Sequence, residues 1–173
     1  VLETMTPVEF ASFRSFLATA SGFESAQFRE LEFLLGIKDP AHLDRFDGAD
    51  HARLQARHDA PTLWDAFAHA LHRDGLPVPE SVLQRDVRLA VTADPEFQAV
   101  LVEGYGDQGI AGLCETLTDL DEGLQEWRYR HVMMVRRTIG TKPGTGGSDG
   151  AAYLMTTLLR PAFPDLWAIR TEF

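Results

Sequence analysis

Apolar residues along this chain recur mostly at helical spacing, and the alternation that builds β-strands is scarce. Thr6 and Glu9, with a proline directly after the threonine, form a capping-box pattern that predicts the start of a helix. Ser21 and Glu24 repeat this signal, and Gly36 is placed to end the second helix. The pattern therefore predicts an all-α fold.

The clearest predicted element is one long central helix over about residues 111–139. Apolar or weakly polar residues recur there in steps of four and three, which places them on one face of a helix roughly 40 Å long. We name this face the apolar stripe and expect it to be buried. Its members are Leu113, Leu117, Leu120, Leu124, Trp127, His131, Met134 and Thr138.

The segment between about residues 40 and 95 is more polar and contains short helical pieces separated by Pro, Gly and Asp. This pattern is typical of a connecting subregion of small helices. Further along, Ser148 or Asp149 can cap another helix that ends before Pro161, and a final turn follows. We expect residues 1–173 to form a single domain, a helical bundle around the long helix.

Charge narrows the choice of partners. The 173 residues include 26 acidic and 16 basic side chains, which give a formal net charge of −10. This charge opposes association with nucleic-acid phosphates or anionic membranes. No apolar run approaches the roughly 18 to 20 residues of a membrane span, and a secretory signal is lacking at the start. We expect neither nucleic-acid nor membrane partners.

Two further features concern the setting of the chain. Cys114 is the single cysteine, so no intrachain disulfide can form, which favours a reducing, cytoplasmic location. The chain begins at Val1 without an initiator methionine. We expect it to be the larger part of a longer protein, with an N-terminal segment upstream.

The segment from Lys142 to Gly150, KPGTGGSDG, holds four glycines. It lacks the Gly-Lys-Ser/Thr ending of a phosphate loop, and the third glycine of the dinucleotide pattern is missing as well. Two interpretations remain. The segment is either a flexible connector or a loop whose backbone approaches a flat or anionic ligand, with hydroxyls from Thr145 and Ser148.

His131 also has two interpretations. Most histidines on an apolar face are core residues with a hydrogen-bonded ring nitrogen. An imidazole on a long helix beside Trp127, Met134 and Val135 is also suited to axial ligation of a haem iron. Neighbouring arginines could meet haem propionates, although we expect most of them to be solvated and paired with acids. They are Arg128, Arg130, Arg136 and Arg137.

Arg14 falls between Phe10 and Leu17 on the apolar face of the first helix, where a guanidinium needs an anion. The anion is either an internal acid or a ligand carboxylate, whose bidentate pairing contributes on the order of 1.5–3 kcal/mol. His69 and His72 lie three residues apart and could share a metal ion. They lack a third ligand at a suitable spacing, so we expect them on the surface.

Two blocks of the sequence resemble the tryptophan 2,3-dioxygenase family, haem enzymes that open the indole ring of L-tryptophan to give N-formylkynurenine. One block is VLETMTPVEFASFRSFLATASGFESAQFRELEFLLG, and the other is EWRYRHVMMVRRTIGTKPGTGGSDGAAYL with FPDLWAIRT beyond it. Residues 37–110 match more by layout than by residue. The resemblance implies an indoleamine/tryptophan dioxygenase-like fold that binds haem b, uses O2 as co-substrate and forms a homotetramer.

The resemblance also assigns roles to residues. It implies that His131 is the axial ligand of the haem iron and that Arg14 and Thr145 bind the charged groups of the amino-acid substrate. The remaining positions would line the pocket, with Phe10 and Leu17 near the substrate and Ser21, Gly22, Val135 and Gly144 near the haem. Distal catalytic residues of the family come from a segment upstream of Val1.

Three functions are compatible with these residues. The leading one is the dioxygenation of L-tryptophan. The second is a related haem-dependent oxygenation of a modified or decarboxylated indole, against which Arg14 argues, because a substrate without a carboxylate would leave its guanidinium unpaired. The third is a non-catalytic helical domain of the same fold.

Overall fold

The computed structural model describes residues 4–16, 25–140, 142, 155, 158 and 160–173. Every regular element within this part of the chain is helical, and no strand occurs in it. The prediction of an all-α fold is therefore confirmed. No helix in the described ranges combines the length and the apolar character that crossing a lipid bilayer requires.

The helices follow the order that the sequence predicts, with one long element late in the chain. The short helices expected at about residues 40–95 are present, and so is a closing helical turn. The elements are α1 (Pro7–Arg14), α2 (Ala26–Leu34), α3 (Gly48–His58), α4 (Leu63–Arg73), α5 (Glu80–Leu83), α6 (Pro95–Gly104), α7 (Gln108–Ile139) and α8 (Pro164–Ala168), with 3₁₀ helices at Pro40–Arg45 and Ile169–Glu172.

The chain divides into two compact units, and the division falls inside α7. Unit 1 comprises Val1–Glu24 and Glu122–Arg160, and unit 2 comprises Ser25–Asp121 and Pro161–Phe173. The expectation that residues 1–173 form a single domain stays a prediction.

The first helix starts where the sequence predicts. The backbone N–H of Thr6 donates to Oε2 of Glu9 at 2.7 Å, and the backbone N–H of Glu9 donates to Oγ1 of Thr6 at 3.3 Å. This reciprocal pair satisfies two of the backbone donors that a helix leaves free at its start. The predicted capping box of α1 is confirmed.

The second helix begins later than predicted. Its N-cap is Ser25, whose Oγ accepts from the backbone N–H of Phe28 at 3.4 Å, rather than Ser21. The helix as described places Ala26 and Phe33 in the core. The predicted capping residues Ser21 and Glu24 lie outside the described residues.

Gly36 ends α2 as predicted. Its φ of 90° lies in the left-handed region, and the N–H of Ile37 donates to the carbonyl of Glu32 at 2.9 Å, as in a Schellman turn. A Cβ atom at this position would lie 2.5 Å from Cγ2 of Val91. Both the backbone conformation and the close approach of Val91 therefore favour glycine.

Trp64 of unit 2 is almost fully buried and packs against three other aromatic rings. Its ring centroid is 5.1 Å from that of Phe97, 5.2 Å from that of Phe67 and 6.0 Å from that of Phe163. Phe97 meets the indole edge-on, an arrangement that the charge distribution of aromatic rings favours. The region expected to be a connection thus contributes central core residues through α4.

The predicted burial of the apolar stripe on α7 is wrong for three of its eight members, since Leu113, Leu120 and Trp127 are 39%, 47% and 43% exposed. Leu117 is buried, and the other four members are half-buried. The buried face is rotated by roughly a quarter turn from the stripe. Most of its residues directly follow a stripe member in the sequence, and successive residues of a helix are about 100° apart. The buried face consists of Cys114, Leu117, Thr118, Asp121, Arg128 and Val132.

Polar residues explain why the hydrophobic pattern pointed to the wrong face. Asp121 is only 1% exposed, and its Oδ2 accepts three hydrogen bonds. The donors are the backbone N–H groups of Ala162 and Phe163, at 2.9 and 3.1 Å, and the indole Nε1 of Trp167, at 2.9 Å. This carboxylate joins α7 to the closing segment of unit 2, and a buried Asp is tolerated because its partners replace water.

We predict that Asp121→Ala destabilises the protein by about 3 kcal/mol or more, because three donors lose their acceptor and two of them are buried backbone N–H groups. Asp121→Asn, which keeps one carbonyl oxygen in place, should cost less. Urea denaturation measures both changes. Asp119→Ala is the matched control, since Asp119 lies exposed on the same helix. Equal stabilities of Asp121→Ala and Asp119→Ala would contradict this role.

His42, in the 3₁₀ helix Pro40–Arg45, is a pH-sensitive residue of unit 2. Its ring is buried, and its Nδ1 has no hydrogen-bond partner within the described residues. Burial, reinforced by the nearby guanidinium of Arg29, lowers the pKa of His42, while Asp39 and Glu32 oppose this shift. Arg45 also disfavours the charged ring. The folded state therefore holds His42 neutral.

We predict that stability decreases as the pH falls below about 6.5, the ordinary pKa of histidine, because the unfolded chain then binds a proton that folded His42 resists. Chemical denaturation between pH 7.5 and 5 measures this loss. His42→Asn should flatten the profile, whereas His69→Asn, on the exposed side of α4, should leave it unchanged. A profile for His42→Asn that parallels the parent would show that another group titrates.

Candidate functional site

His131 lies on α7 with its imidazole packed against the indole of Trp127, one turn earlier. The two ring centroids are 5.8 Å apart and the ring planes differ by 12°, so the rings are stacked in parallel with an offset. Residues four apart on a helix are surface neighbours, which brings these two rings together. The stack restricts the orientation of the imidazole.

The imidazole of His131 is half-buried, and its Nε2 atom is withdrawn from solvent. Burial lowers the pKa of His131 below the ordinary value of 6.5, because a charged ring would lose hydration there. At neutral pH the ring is therefore uncharged. A neutral imidazole is the form that ligates a metal, so protonation does not compete with coordination at this position.

The surroundings of His131 also suit a porphyrin. Val135, one turn later on α7, is half-buried, as is Met134. Together with Trp127 they give the imidazole apolar neighbours above and below along the helix. His131 and its neighbours therefore fit the proximal side of a haem, whose iron takes an imidazole ligand and whose ring packs against apolar side chains.

Arg14 occupies the last turn of α1, where a cation is favoured by the partial negative charge of the helix end. Its side chain is half-buried, like that of Phe10 one turn earlier. Phe10 contacts Phe13 at a ring-centroid distance of 6.3 Å. No residue of α1 is fully buried, so the expected apolar face of this helix is only partly covered.

Several predicted site residues lie outside the described residues. They are Leu17, Ser21, Gly22, Gly144 and Thr145. The helix expected after Ser148 lies outside them as well, apart from isolated positions. The structure thus describes His131 and Val135 on α7 and Arg14 and Phe10 on α1, all of which belong to unit 1.

The alternative metal site receives no support. His69 and His72 are both exposed on α4, which confirms their expected surface location. Across the described ranges, no group of three or more His, Cys, Asp or Glu side chains is placed to hold a metal ion. Metal binding by this pair would lack the ligands that complete a coordination shell.

The arginines near His131 differ from one another more than the sequence indicates. Arg130 follows the expected pattern, since its side chain is 72% exposed and pairs with Glu126 at 2.6 Å. Arg128 is buried instead, with 7% exposure, and its Nη1 donates to the carbonyl oxygen of Arg160 at 2.9 Å. Sequence reasoning missed this contact because its acceptor is a backbone atom 32 residues away.

The whole chain is similar to proteins of one known family. The family model described as Tryptophan 2,3-dioxygenase matches residues 1–82 and 82–173. Proteins named tryptophan 2,3-dioxygenase from Herpetosiphon aurantiacus and from Anaeromyxobacter sp. strain K are each 53% identical to this chain. One from Caulobacter vibrioides is 44% identical.

These three alignments cover 99%, 98% and 99% of this chain. They cover 66%, 65% and 68% of the three relatives, so the chain spans about two thirds of their length. Both the family model and the relatives match it from end to end. The chain belongs to the tryptophan 2,3-dioxygenase family.

Proposed function

We propose that this chain is the haem-binding part of an enzyme that inserts O2 across the indole C2–C3 bond of L-tryptophan. Both oxygen atoms enter the product, N-formylkynurenine, and the C2–C3 bond is broken. The observation that carries the proposal is the half-buried, neutral imidazole of His131, stacked on Trp127, in a chain of this family.

His131 would hold the haem b iron, and Val135 would contact the porphyrin. The haem iron would supply the redox chemistry with O2 that oxidises the indole. The chain's own residues would then have to bind and orient the substrate and exclude water. Ser21, Gly22 and Gly144 complete the proposed haem-binding set. The catalytic groups on the distal side are expected in a segment upstream of Val1.

Arg14 would bind the carboxylate of L-tryptophan. Its planar guanidinium can form two parallel hydrogen bonds with a carboxylate, which fixes the orientation of the amino-acid end. Thr145 would add a hydroxyl at the same end of the substrate, with Phe10 and Leu17 near the indole. This set favours free L-tryptophan over a decarboxylated indole, because an indole without a carboxylate cannot form the two hydrogen bonds that the guanidinium of Arg14 offers.

The setting of the enzyme is also a proposal. The formal charge of −10 supports a protein without nucleic-acid partners, and the single buried Cys114 fits a reducing cytoplasm. Assembly as a homotetramer follows from the family resemblance. Leu113 and Leu120, which are exposed on α7, are apolar side chains of the kind found at subunit interfaces.

We predict that His131→Ala in the full-length protein abolishes axial ligation by histidine, because the substitution removes the imidazole that is proposed to bind the iron. The ferrous–CO absorption spectrum after reconstitution with hemin measures this. His69→Ala, on the exposed side of α4, is the control and should keep the parent spectrum. A His131→Ala spectrum identical to that of the parent would remove the assignment. Absence of any Soret band in the parent would favour a non-catalytic domain.

We predict that Arg14→Leu weakens L-tryptophan binding by roughly 10- to 100-fold, the equivalent of one charge-assisted pairing. Substrate-induced shifts of the Soret band measure the affinity. Arg14→Lys should recover part of the lost affinity, since lysine keeps the positive charge but lacks the planar guanidinium that forms two parallel hydrogen bonds. Tryptamine, which lacks the carboxylate, should bind the parent and Arg14→Leu equally. Equal affinity of the parent for tryptophan and tryptamine would show that no carboxylate is recognised.

A further inference from the structure

Arg128 is a buried cation in the same helical turn as His131. Its side chain is 7% exposed, although guanidinium groups are rarely buried without a partner. Its Nη1 donates to the carbonyl oxygen of Arg160 at 2.9 Å. Burial of such a group is costly unless its hydrogen bonds are made, so this contact has a structural purpose.

The acceptor is well suited to fix a position. Arg160 precedes Pro161, and a residue before proline is restricted to extended backbone conformations. The orientation of its carbonyl is therefore limited before Arg128 binds it. Both residues of the pair lie in unit 1, 32 positions apart in the chain. The hydrogen bond thus ties α7 to a residue far along the chain whose own backbone conformation is restricted.

On α7, His131 lies between a buried residue on one side and an exposed residue on the other. Residues three and four apart share a helix face, so Arg128 is a neighbour of both His131 and Val132. Val132 is almost fully buried, whereas Trp127, on the other side of His131, is substantially exposed. Arg128 therefore holds the inner edge of the turn that presents the imidazole, and Trp127 flanks the outer edge.

Small rotations of α7 matter for such a ligand. An imidazole about 6 Å from the helix axis moves by roughly 1 Å when the helix rotates by about 10°. Displacements of this size change ligand geometry and catalytic efficiency. Van der Waals packing of Val132 permits small adjustments, whereas a hydrogen bond from a planar guanidinium is directional.

We propose that Arg128 is a positioning residue, which fixes the rotation of α7 through the Arg160 carbonyl and thereby sets where the His131 imidazole projects. The expected effect on the haem rests on the proposed function, whereas the hydrogen bond between Arg128 and Arg160 does not. Arg128 touches no substrate in this account. Its effect on the reaction passes through His131.

The test compares Arg128→Met, which replaces the aliphatic part of the side chain but removes the guanidinium, with Arg128→Lys and with Arg130→Met. Arg130 is the matched control, because it lies two residues later on the same helix and is exposed. Full-length protein is used throughout. In the haem-loaded ferrous state, resonance Raman spectroscopy records the iron–histidine stretching band, and hemin titration gives the affinity.

For Arg128→Met we expect a shifted or broadened iron–histidine band and roughly 10-fold weaker hemin binding, as for other supporting contacts of metal ligands. Arg128→Lys should lie between this variant and the parent, and Arg130→Met should match the parent. An unchanged band and affinity in Arg128→Met overturns the inference and leaves the proposed function intact.

A second measurement does not depend on haem. In the haem-free protein, NMR of ¹³C-labelled histidine reports the chemical shift of the His131 ring, and we expect Arg128→Met to change the ring-current shift that the stack on Trp127 imposes. Arg130→Met should leave this chemical shift unchanged. If the parent binds no haem, the proposed function fails, while this chemical shift still decides the role of Arg128. An unaltered His131 chemical shift in folded Arg128→Met contradicts it.

Discussion

Desolvation of the His131 imidazole is the physical condition on which the proposed chemistry depends. A solvated histidine takes up a proton near pH 6.5, and a protonated ring cannot ligate iron. Partial burial on α7 lowers the pKa of His131 and keeps the ring neutral. The stack on Trp127 restricts the orientation of that neutral ring. Burial thus sets the charge state of the imidazole, and the stack on Trp127 restricts its direction.

The long helix is held by polar contacts as well as by apolar packing. Within unit 2, Asp121 collects three donors from the closing segment, and within unit 1, Arg128 binds the carbonyl of Arg160. Each contact joins α7 to residues far along the chain and has a defined direction. A helix anchored only by leucine packing would rotate more freely. Polar anchors on a buried face therefore suit a helix that presents a metal ligand.

The comparison of sequence with structure separates local signals from tertiary ones. The capping box of α1, the glycine that ends α2 and the extent of α7 depend on residues a few positions apart, and these were predictable. The buried face of α7 was not, because Asp121 and Arg128 are buried only through partners more than 30 residues away. The start of α2 was placed too early, since its N-cap is Ser25. Of the candidate site, periodicity located His131, whereas the roles of Arg14 and Thr145 came from family resemblance.

The central claim is that His131 is the protein ligand of a haem iron. A crystal structure of the full-length protein grown with hemin tests it most directly, because it identifies the side chain bonded to the metal. The account predicts an imidazole nitrogen of His131 bonded to iron, with Trp127 and Val135 beside the porphyrin. Iron ligated by a different side chain, or hemin absent from the vicinity of α7, would contradict it.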